Sequence, residues 1–467
     1  MEEKDLFVNE GPDVSQLAEQ INKMLGEKQY VRLREALISL PAADISELLG
    51  LLPEERLTLT FRLLPKELAA EVFVEMEAEE KEHLITCFSD RELREILDEL
   101  YLDDTVDTIE EMPANVVARI LRNSTPAARR TINELLKYPD DTAGSLMTTE
   151  FVALKKDMTV AEAFAAIRAV ALDKETVYTC YITDAARHLE GVITVKTMLI
   201  ASPEDRLSEL METAVIAART LTDREEVAQT FSKYGLLALP VTDSENRLVG
   251  IVTVDDAMDV MQEETEEDFA VLSAVTPTET PYLKTGVFSI FKTRIPWLLL
   301  LLLSATFTGM IISSFEEALS ACVALTAFIP MLMGTGGNAG SQASVTVVRG
   351  LSLGEVEWKD SLRVLLKELR VSLLCGVALA VMSFVKVLLV DRLLMGNEAV
   401  TVTVSLVVSL TLLVTVTCAK LVGAFLPILA RKIRLDPAVV AGPFITTAID
   451  ALALLVYFGV ASSLLHL

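Results

Sequence analysis

Residues 437–467 read PAVVAGPFITTAIDALALLVYFGVASSLLHL, and Asp450 is the only formal charge in the stretch. A helix of about 20 apolar residues crosses a bilayer, so this segment predicts a membrane span. Asp450 lies 12 residues past Ala438, which at helical rise is about 18 Å into a hydrocarbon core of about 30 Å. A carboxylate at that depth is costly and as a rule faces a watery path or a partner. Thr446 precedes it by one turn and Gly442-Pro443 by two, so one helix face offers a carboxylate, a hydroxyl and loosened backbone carbonyls. Such oxygen ligands suit hard cations. Magnesium gives up its waters reluctantly, so one carboxylate per chain would grip a hydrated ion rather than strip it.

Working outward, uncharged runs at 297–314, 318–348, 371–385 and 399–419 complete a set of five expected spans, the third extended past Lys386 and the fourth past Lys420. Basic residues cluster before the first, third and fifth (Lys292 and Arg294; Arg349 to Arg370; Arg431, Lys432 and Arg434). The amino terminus is therefore expected in the cytoplasm and the carboxyl terminus outside. Lys386 and Lys420 are expected near span ends, their stems snorkelling, with no pore role. Within the second span, residues 330–342 read PMLMGTGGNAGSQ. Four glycines in seven positions are not there for helix stability. Two readings stand: irregular backbone lining a cavity, with the Asn338 and Gln342 amides one turn apart if helical, or close packing of helices through small residues.

The amino-terminal half is a different kind of protein. Over the whole chain the hydrophobic content is 51% and the mean hydropathy +0.42. Residues 287–467 hold 13 Lys+Arg and 10 Asp+Glu, leaving +3 there and −29 on residues 1–286. That excess disfavours nucleic acid as a partner and favours cations. Five scattered cysteines without CxxC spacing point to neither a disulfide framework nor zinc. No secretory signal is read in the first thirty residues. His83, His188 and His466 lie far apart and no nucleophile motif or phosphate loop occurs, so an enzyme is not expected.

Leu40-Pro41, Leu52-Pro53 and Leu64-Pro65 recur every twelve residues, predicting a stack of short helices, each proline opening one. Two similar α/β segments follow. Each runs from a Met (Met147, Met211) through a helical stretch (159–170, 223–234) to a Gly-Val/Ile-Ile/Val-Thr strand ending at Thr194 or Thr253. The duplication resembles a tandem CBS pair, a module that often binds adenosyl nucleotides. Thr253 and Asp256 match its ribose-holding Thr-x-x-Asp, whereas Thr194 is followed by Thr197. ATP at the pair is thus a candidate ligand. An acidic helical stretch, 258–274, comes next, and Pro277 and Pro281 end it.

The segments Asp141-Thr142-Ala143-Gly144-Ser145-Leu146-Met147, Gly334 to Gly340, and Asp436-Pro437-Ala438 through Asp450, in this order, resemble the MgtE magnesium channels. The likeness divides the chain into a helical superhelical N-domain (1–138), CBS copies at 139–203 and 204–260, an acidic connecting (plug) helix and linker (261–286) and a five-helix pore domain (287–467). It implies a homodimer in the cell membrane, its pore on the two-fold axis and lined by the second and fifth spans. By resemblance Asp450 holds the hydrated ion, with Thr446, Gly337 and Asn338 beside it. Asp436, Asp256, Asp259, Glu264, Glu267 and Asp268 are implied as regulatory Mg2+ ligands, joined by Asp103, Asp104 and Asp107 of the helical domain. Gly235 stands where relatives can carry an acid. Mg2+ is then both substrate and regulator: voltage drives it inward, and intracellular Mg2+ bound to the acidic domains closes the pore. A proton- or sodium-coupled carrier and a nucleotide-sensing receptor are the competing expectations.

Overall fold

In a computed structural model, residues 14–278 and 282–465 are described, so Pro281, His466 and the acidic residues before Val14 lie outside them. Two compact units emerge, residues 1–261 and 262–467.

The first unit opens with helices α1 (Val14–Gly26), α2 (Tyr30–Ile38), α3 (Ala42–Gly50), α4 (Glu54–Phe61), α5 (Lys66–Val74), α6 (Ala78–Cys87), α7 (Asp90–Leu97), α8 (Leu102–Glu111), α9 (Ala114–Asn123) and α10 (Pro126–Leu135). The Leu-Pro repeats fall at their junctions. Pro41, Pro53 and Pro65 are the N-cap residues of α3, α4 and α5, with φ near −60° and extended ψ, the fixed geometry that lets a chain turn into a helix. Successive helices bury one stripe each, Leu33, Leu48, Val72, Leu84, Leu93, Val106 and Ile120 among them, into a continuous core.

Two copies of one α/β unit follow. In the first, β1 (Ala153–Leu154), β2 (Thr179–Thr183) and β3 (Leu189–Thr194) form a sheet in that order; in the second, β4 (Ala218–Arg219), β5 (Ala238–Thr242) and β6 (Leu248–Thr253) do the same. The register repeats, Thr179↔Thr194 in one and Ala238↔Thr253 in the other, with a bulge one residue before the strand end in each. The helices are α11 (Val160–Val170), α12 (Val195–Ile200), α13 (Leu207–Leu210) and α14 (Arg224–Tyr234). Thr159 closes a capping box with Glu162, and Asp223 caps α14, which sets both starts. The repeated Met and Gly interlock across copies. A methyl group on Gly250 would lie 2.6 Å from Met147 Sδ, and one on Gly191 would lie 2.9 Å from Met211 Sδ. Each copy's first residue therefore lies over the other's third strand, and only glycine admits it.

Helix α15 (Val254–Leu272) runs unbroken through residue 260, so the acidic connecting helix is the continuation of the last CBS helix. The second unit contains α16 (Val287–Ser314), α17 (Glu316–Ala321), α18 (Ile329–Ser352), α19 (Ser361–Lys386, prolonged by a π-helical turn Val387–Leu394), α20 (Val402–Lys432), α21 (Pro437–Ala441) and α22 (Pro443–Leu465). Among the described residues, four stretches are long and apolar enough to cross a membrane: Val287–Ser314, Trp358–Leu394, Val402–Lys432 and Pro437–Leu465. Helix α18, the expected second span, has 24 residues, glycine and polar positions diluting its hydropathy.

Lys386 pairs with Asp391 at 2.9 Å where α19 passes into its π-helical turn. Lys420 corrects an expectation: α20 continues to Lys432 and Lys420 is buried, 7% exposed. The helix runs on past Lys420 as expected, held by Gly423, Ala424 and Ile428 packing inward; what differs is the place of the stem, which lies inside the bundle well short of the helix end instead of reaching out at a span edge.

Candidate functional site

Helix α18 stays helical through all four glycines, which decides between the two readings of 330–342 in favour of close packing. A methyl group on Gly336 would lie 2.8 Å from Thr415 Cγ2 and 3.2 Å from Ile449 Cγ2; one on Gly340 would lie 1.9 Å from Ile449 Cδ1 and 3.2 Å from the Ala419 carbonyl oxygen. These two glycines seat α18 between α20 and α22. Gly337, one position round, faces other groups: its missing methyl would be 3.1 Å from Thr446 Cγ2 and 3.9 Å from Asp450 Oδ1. Gly337, Thr446 and Asp450 thus come together. Asn338 and Gln342 are exposed on a neighbouring stripe of α18, one turn apart.

The helix carrying Asp450 is broken one turn below Thr446. Helix α21 ends at Ala441, Gly442 takes φ −82°, ψ −123°, and α22 restarts at Pro443. A methyl group on Gly442 would lie 2.6 Å from the Leu272 carbonyl oxygen, so the end of α15 rests on the break. A cavity of about 360 Å³ beside it is lined by Gly442, Ser341, Thr446 and Thr447 with Leu272, Leu301, Val345 and Ala441.

Asp436 caps α21, its Oδ1 accepting from Ala438 N at 2.8 Å. Asp268, near the end of α15, accepts from Ser352 Oγ at 3.3 Å. Burial, then the charge of Asp436, raises Asp268 above the ordinary aspartate range, and Glu267 adds to it. Three of the expected regulatory acids therefore converge here. Glu264 lies one turn earlier on α15.

A second acidic cluster forms where α8 meets the CBS copies. Carboxylate oxygens of Asp103, Glu150 and Glu175 lie within 4.8 Å of one another. Asp103 Oδ1 and Glu175 Oε2 are buried without a hydrogen-bond partner, and Glu150 Oε2 accepts the Leu102 amide at 3.2 Å. Around them stand Asp104, Asp107 and Asp256. Burial, then the charge of Asp256, lifts Asp104 to about 6 and Asp107 to about 8. Burial, then Asp104 and Asp256, lifts Glu175 to about 8, and Asp103 stands well above its usual range for the same reasons, burial first. Buried like charges are costly unless a cation joins them. The donors are all oxygen and two are unsatisfied, which fits a hard divalent ion.

Asp256 is lifted by burial to about 6, against the hydrogen bonds that Thr253 gives it. In the first copy Thr197 N donates to Thr194 Oγ1 at 3.1 Å and the two hydroxyls lie 2.9 Å apart, so a hydroxyl stands where the second copy has the Asp256 carboxylate. Asp259, one turn beyond Asp256, is raised by burial and then Asp255. Sequence reading missed Glu150 and Glu175. Both lie in irregular segments with no periodicity or spacing to mark them, and only the folded contact with α8 does so.

Known proteins resemble the chain throughout. Residues 329–460 match the divalent cation transporter family MgtE, residues 40–141 the MgtE intracellular N domain, and residues 143–204 and 207–263 the CBS domain. Magnesium transporter MgtE of Thermus thermophilus is 37% identical over 454 residues, 96% of this chain and 99% of that protein. Its counterpart in Bacillus subtilis is 35% identical over 364 residues, 78% of each chain. The crystal structure of the cytosolic domain of the Mg2+ channel MgtE in complex with ATP matches 52% of this chain and 99% of its own, with 38% identity and a TM-score of 0.50.

Proposed function

Because the chain belongs to the MgtE family of magnesium transporters, we propose that it is a Mg2+ channel whose ion passes Asp450 and whose acidic cytosolic parts close it when Mg2+ is plentiful. The observation that carries the reading is the convergence of Asp450 and Thr446 on the bare backbone of Gly337. Glycine there lets α18 come close to the face of α22 that carries Thr446 and Asp450. An ion that keeps its water shell passes along the adjoining exposed stripe of α18, with Thr446 and the exposed Asn338 amide offering oxygen to those waters. The exposed stripe of α18 is then the pore wall of a homodimer, with α18 as the fifth crossing, the amino terminus inside and the carboxyl terminus outside.

The resting potential supplies about 4.6 kcal/mol per 100 mV for a doubly charged ion moving inward. No coupling ion is needed. Gating follows from the two acidic clusters. When Mg2+ is scarce, Asp103, Asp104, Asp107, Glu150, Glu175 and Asp256 repel one another, and so do Glu267, Asp268 and Asp436. When Mg2+ is abundant, ions bridge each group. The ion among Asp268, Glu267 and Asp436 draws the end of α15 against Gly442, the break below Asp450, and the path closes. Asp259 and Glu264 extend the same acidic helix. ATP is a second ligand of the CBS pair, with Thr253 and Asp256 at its ribose; the related cytosolic domain solved with ATP supports this.

The test is Mg2+ uptake into liposomes holding wild type or Asp450→Asn. Uptake that survives the substitution with its preference for Mg2+ intact would remove Asp450 from the path.

A further inference from the structure

Away from the carboxylate clusters, the last turn of α6 presents two soft donors. His83 and Cys87 are one turn apart, and Cys87 Sγ lies 3.6 Å from His83 Nε2. The other ring nitrogen, Nδ1, faces the Glu54 carboxylate of α4 at 3.7 Å. Thr58 Oγ1, one turn along α4, is 3.2 Å from Nε2. Cys87 is exposed and makes no disulfide. Arg62 is engaged by Glu92 at 2.8 Å and donates to the Cys87 carbonyl at 3.3 Å.

We propose that His83 Nε2 and Cys87 Sγ bind a thiophilic divalent ion of the Zn2+ class. Bonds of about 2.0 Å to nitrogen and about 2.3 Å to sulfur, at a tetrahedral angle, separate the two ligand atoms by about 3.5 Å, close to the distance found. The nitrogen that faces sulfur is the one turned away from the Glu54 carboxylate, and it also meets the exchangeable Thr58 hydroxyl. At 3.7 Å the exposed Glu54 carboxylate stands just beyond hydrogen-bond distance of Nδ1, within reach of the small movement that would let it orient the ring as carboxylates do for metal-binding histidines. On binding, the thiol releases its proton to solvent, Nε2 and the thiolate each donate a lone pair, and water fills the remaining positions. Thr58 gives up its contact with Nε2. No electron is transferred.

Such a site differs in kind from the oxygen clusters. Thiolate and imidazole favour zinc-like ions over Mg2+ by ligand softness, so the amino-terminal stack would register a different ion from the one the acidic faces hold. Its failure would leave the transport reading untouched.

The experiment uses the full chain in detergent with excess Mg2+ present, and Zn2+ or Cd2+ as probe. Maleimide labelling of Cys87, followed by peptide mass mapping, is expected to slow about tenfold or more with Zn2+, the scale on which lost metal-site groups are felt. That protection should vanish in His83→Gln and weaken in Glu54→Gln. Cd2+ should raise an ultraviolet thiolate band in wild type that Cys87→Ser reduces. Labelling at one rate with and without Zn2+ overturns the proposal. So does protection undiminished in His83→Gln whose helical circular dichroism matches wild type.

Discussion

A methyl group on Gly423 would lie 2.3 Å from the carbonyl oxygen of Gly340, so the backbones of α20 and α18 touch where these two glycines cross. Neither atom is the end of a flexible side chain, and neither helix can give way without moving its other contacts. Gly423→Ala is expected to cost about 1–3 kcal/mol through overpacking, read as a lower Tm of the detergent-solubilised chain. A leucine at the same place should prevent folding of the second unit. An unchanged Tm for Gly423→Ala would mean that the helices do not cross here.

Gly337 is buried as Gly336 and Gly340 are, but the groups it meets are Thr446 and Asp450. Gly337→Ala places a methyl in front of the carboxylate, 3.1 Å from Thr446 Cγ2. The expected result is a loss of Mg2+ flux with little change in Tm, since a rotation of Thr446 relieves the contact. Gly336→Ala should reverse the order of effects, losing stability first, because it meets Thr415 and Ile449. Measuring flux and Tm for both variants separates the ion path from the packing seam.

How far the chain was legible follows from what each signal encodes. The Leu-Pro junctions, the capping residues Thr159 and Asp223 and the paired Gly-Ile/Val-Thr strands are local signals, and the helices and sheets lie where they point. The two-residue strands β1 and β4 are too short to carry a pattern. The span was legible past Lys420, but the burial of its stem was not, because hydropathy counts a charge without knowing what surrounds it, and this one is enclosed by the bundle. Asp450 stood out because one charge in an apolar run needs no partner to be noticed. Glu150 and Glu175 did not, since among 67 acidic residues only contact with Asp103 distinguishes them.

The cluster at α8 predicts a dependence on both ion and pH. In the unfolded chain its carboxylates titrate near 3.8 for Asp and 4.5 for Glu, whereas folded Asp107 and Glu175 hold their protons to about 8. The folded state therefore binds more protons between those limits. Stability is fully present below about pH 4 as far as these groups are concerned, and is lost as pH rises through 8. The slope is about 1.4 kcal/mol per pH unit for each proton involved. Without divalent ions, Tm should fall from pH 5 to pH 8; with Mg2+ that fall should shrink, because the bound ion replaces the protons. A Tm that rises over this range in the absence of metal would contradict the raised values.

Glu175→Gln tests the same cluster by removing a charge instead of supplying one. The amide keeps the volume and removes part of the repulsion on Asp104 and Asp103, so the metal-free protein is expected to become more stable. Its response to Mg2+ should weaken at the same time: an ion at one hundred times its Kd stabilises wild type by about 2.7 kcal/mol per site, and loss of a ligand lowers that figure at equal concentration. The two effects have opposite signs in one variant, which a purely structural role for Glu175 does not produce. If Glu175→Gln lowers Tm and leaves the Mg2+ shift unchanged, the residue is packing, not a ligand.

In the proposed gating, closure depends on the other cluster. Asp268 is raised by burial and by Asp436, and its helix ends on Gly442, the break that leads to Asp450. On that proposal, neutralising Glu264, Glu267 and Asp268 together removes both the repulsion that keeps the end of α15 away and the carboxylates by which Mg2+ would bring it in. Patch recordings should then show current that no longer falls as Mg2+ on the cytoplasmic side is raised, while the conductance set at Asp450 is unchanged. Asp436→Asn should shift the closing concentration upward without abolishing closure, because the acids of α15 remain. Were the triple variant to close at the wild-type concentration, the signal would have to reach the pore by a route other than the contact between Leu272 and Gly442.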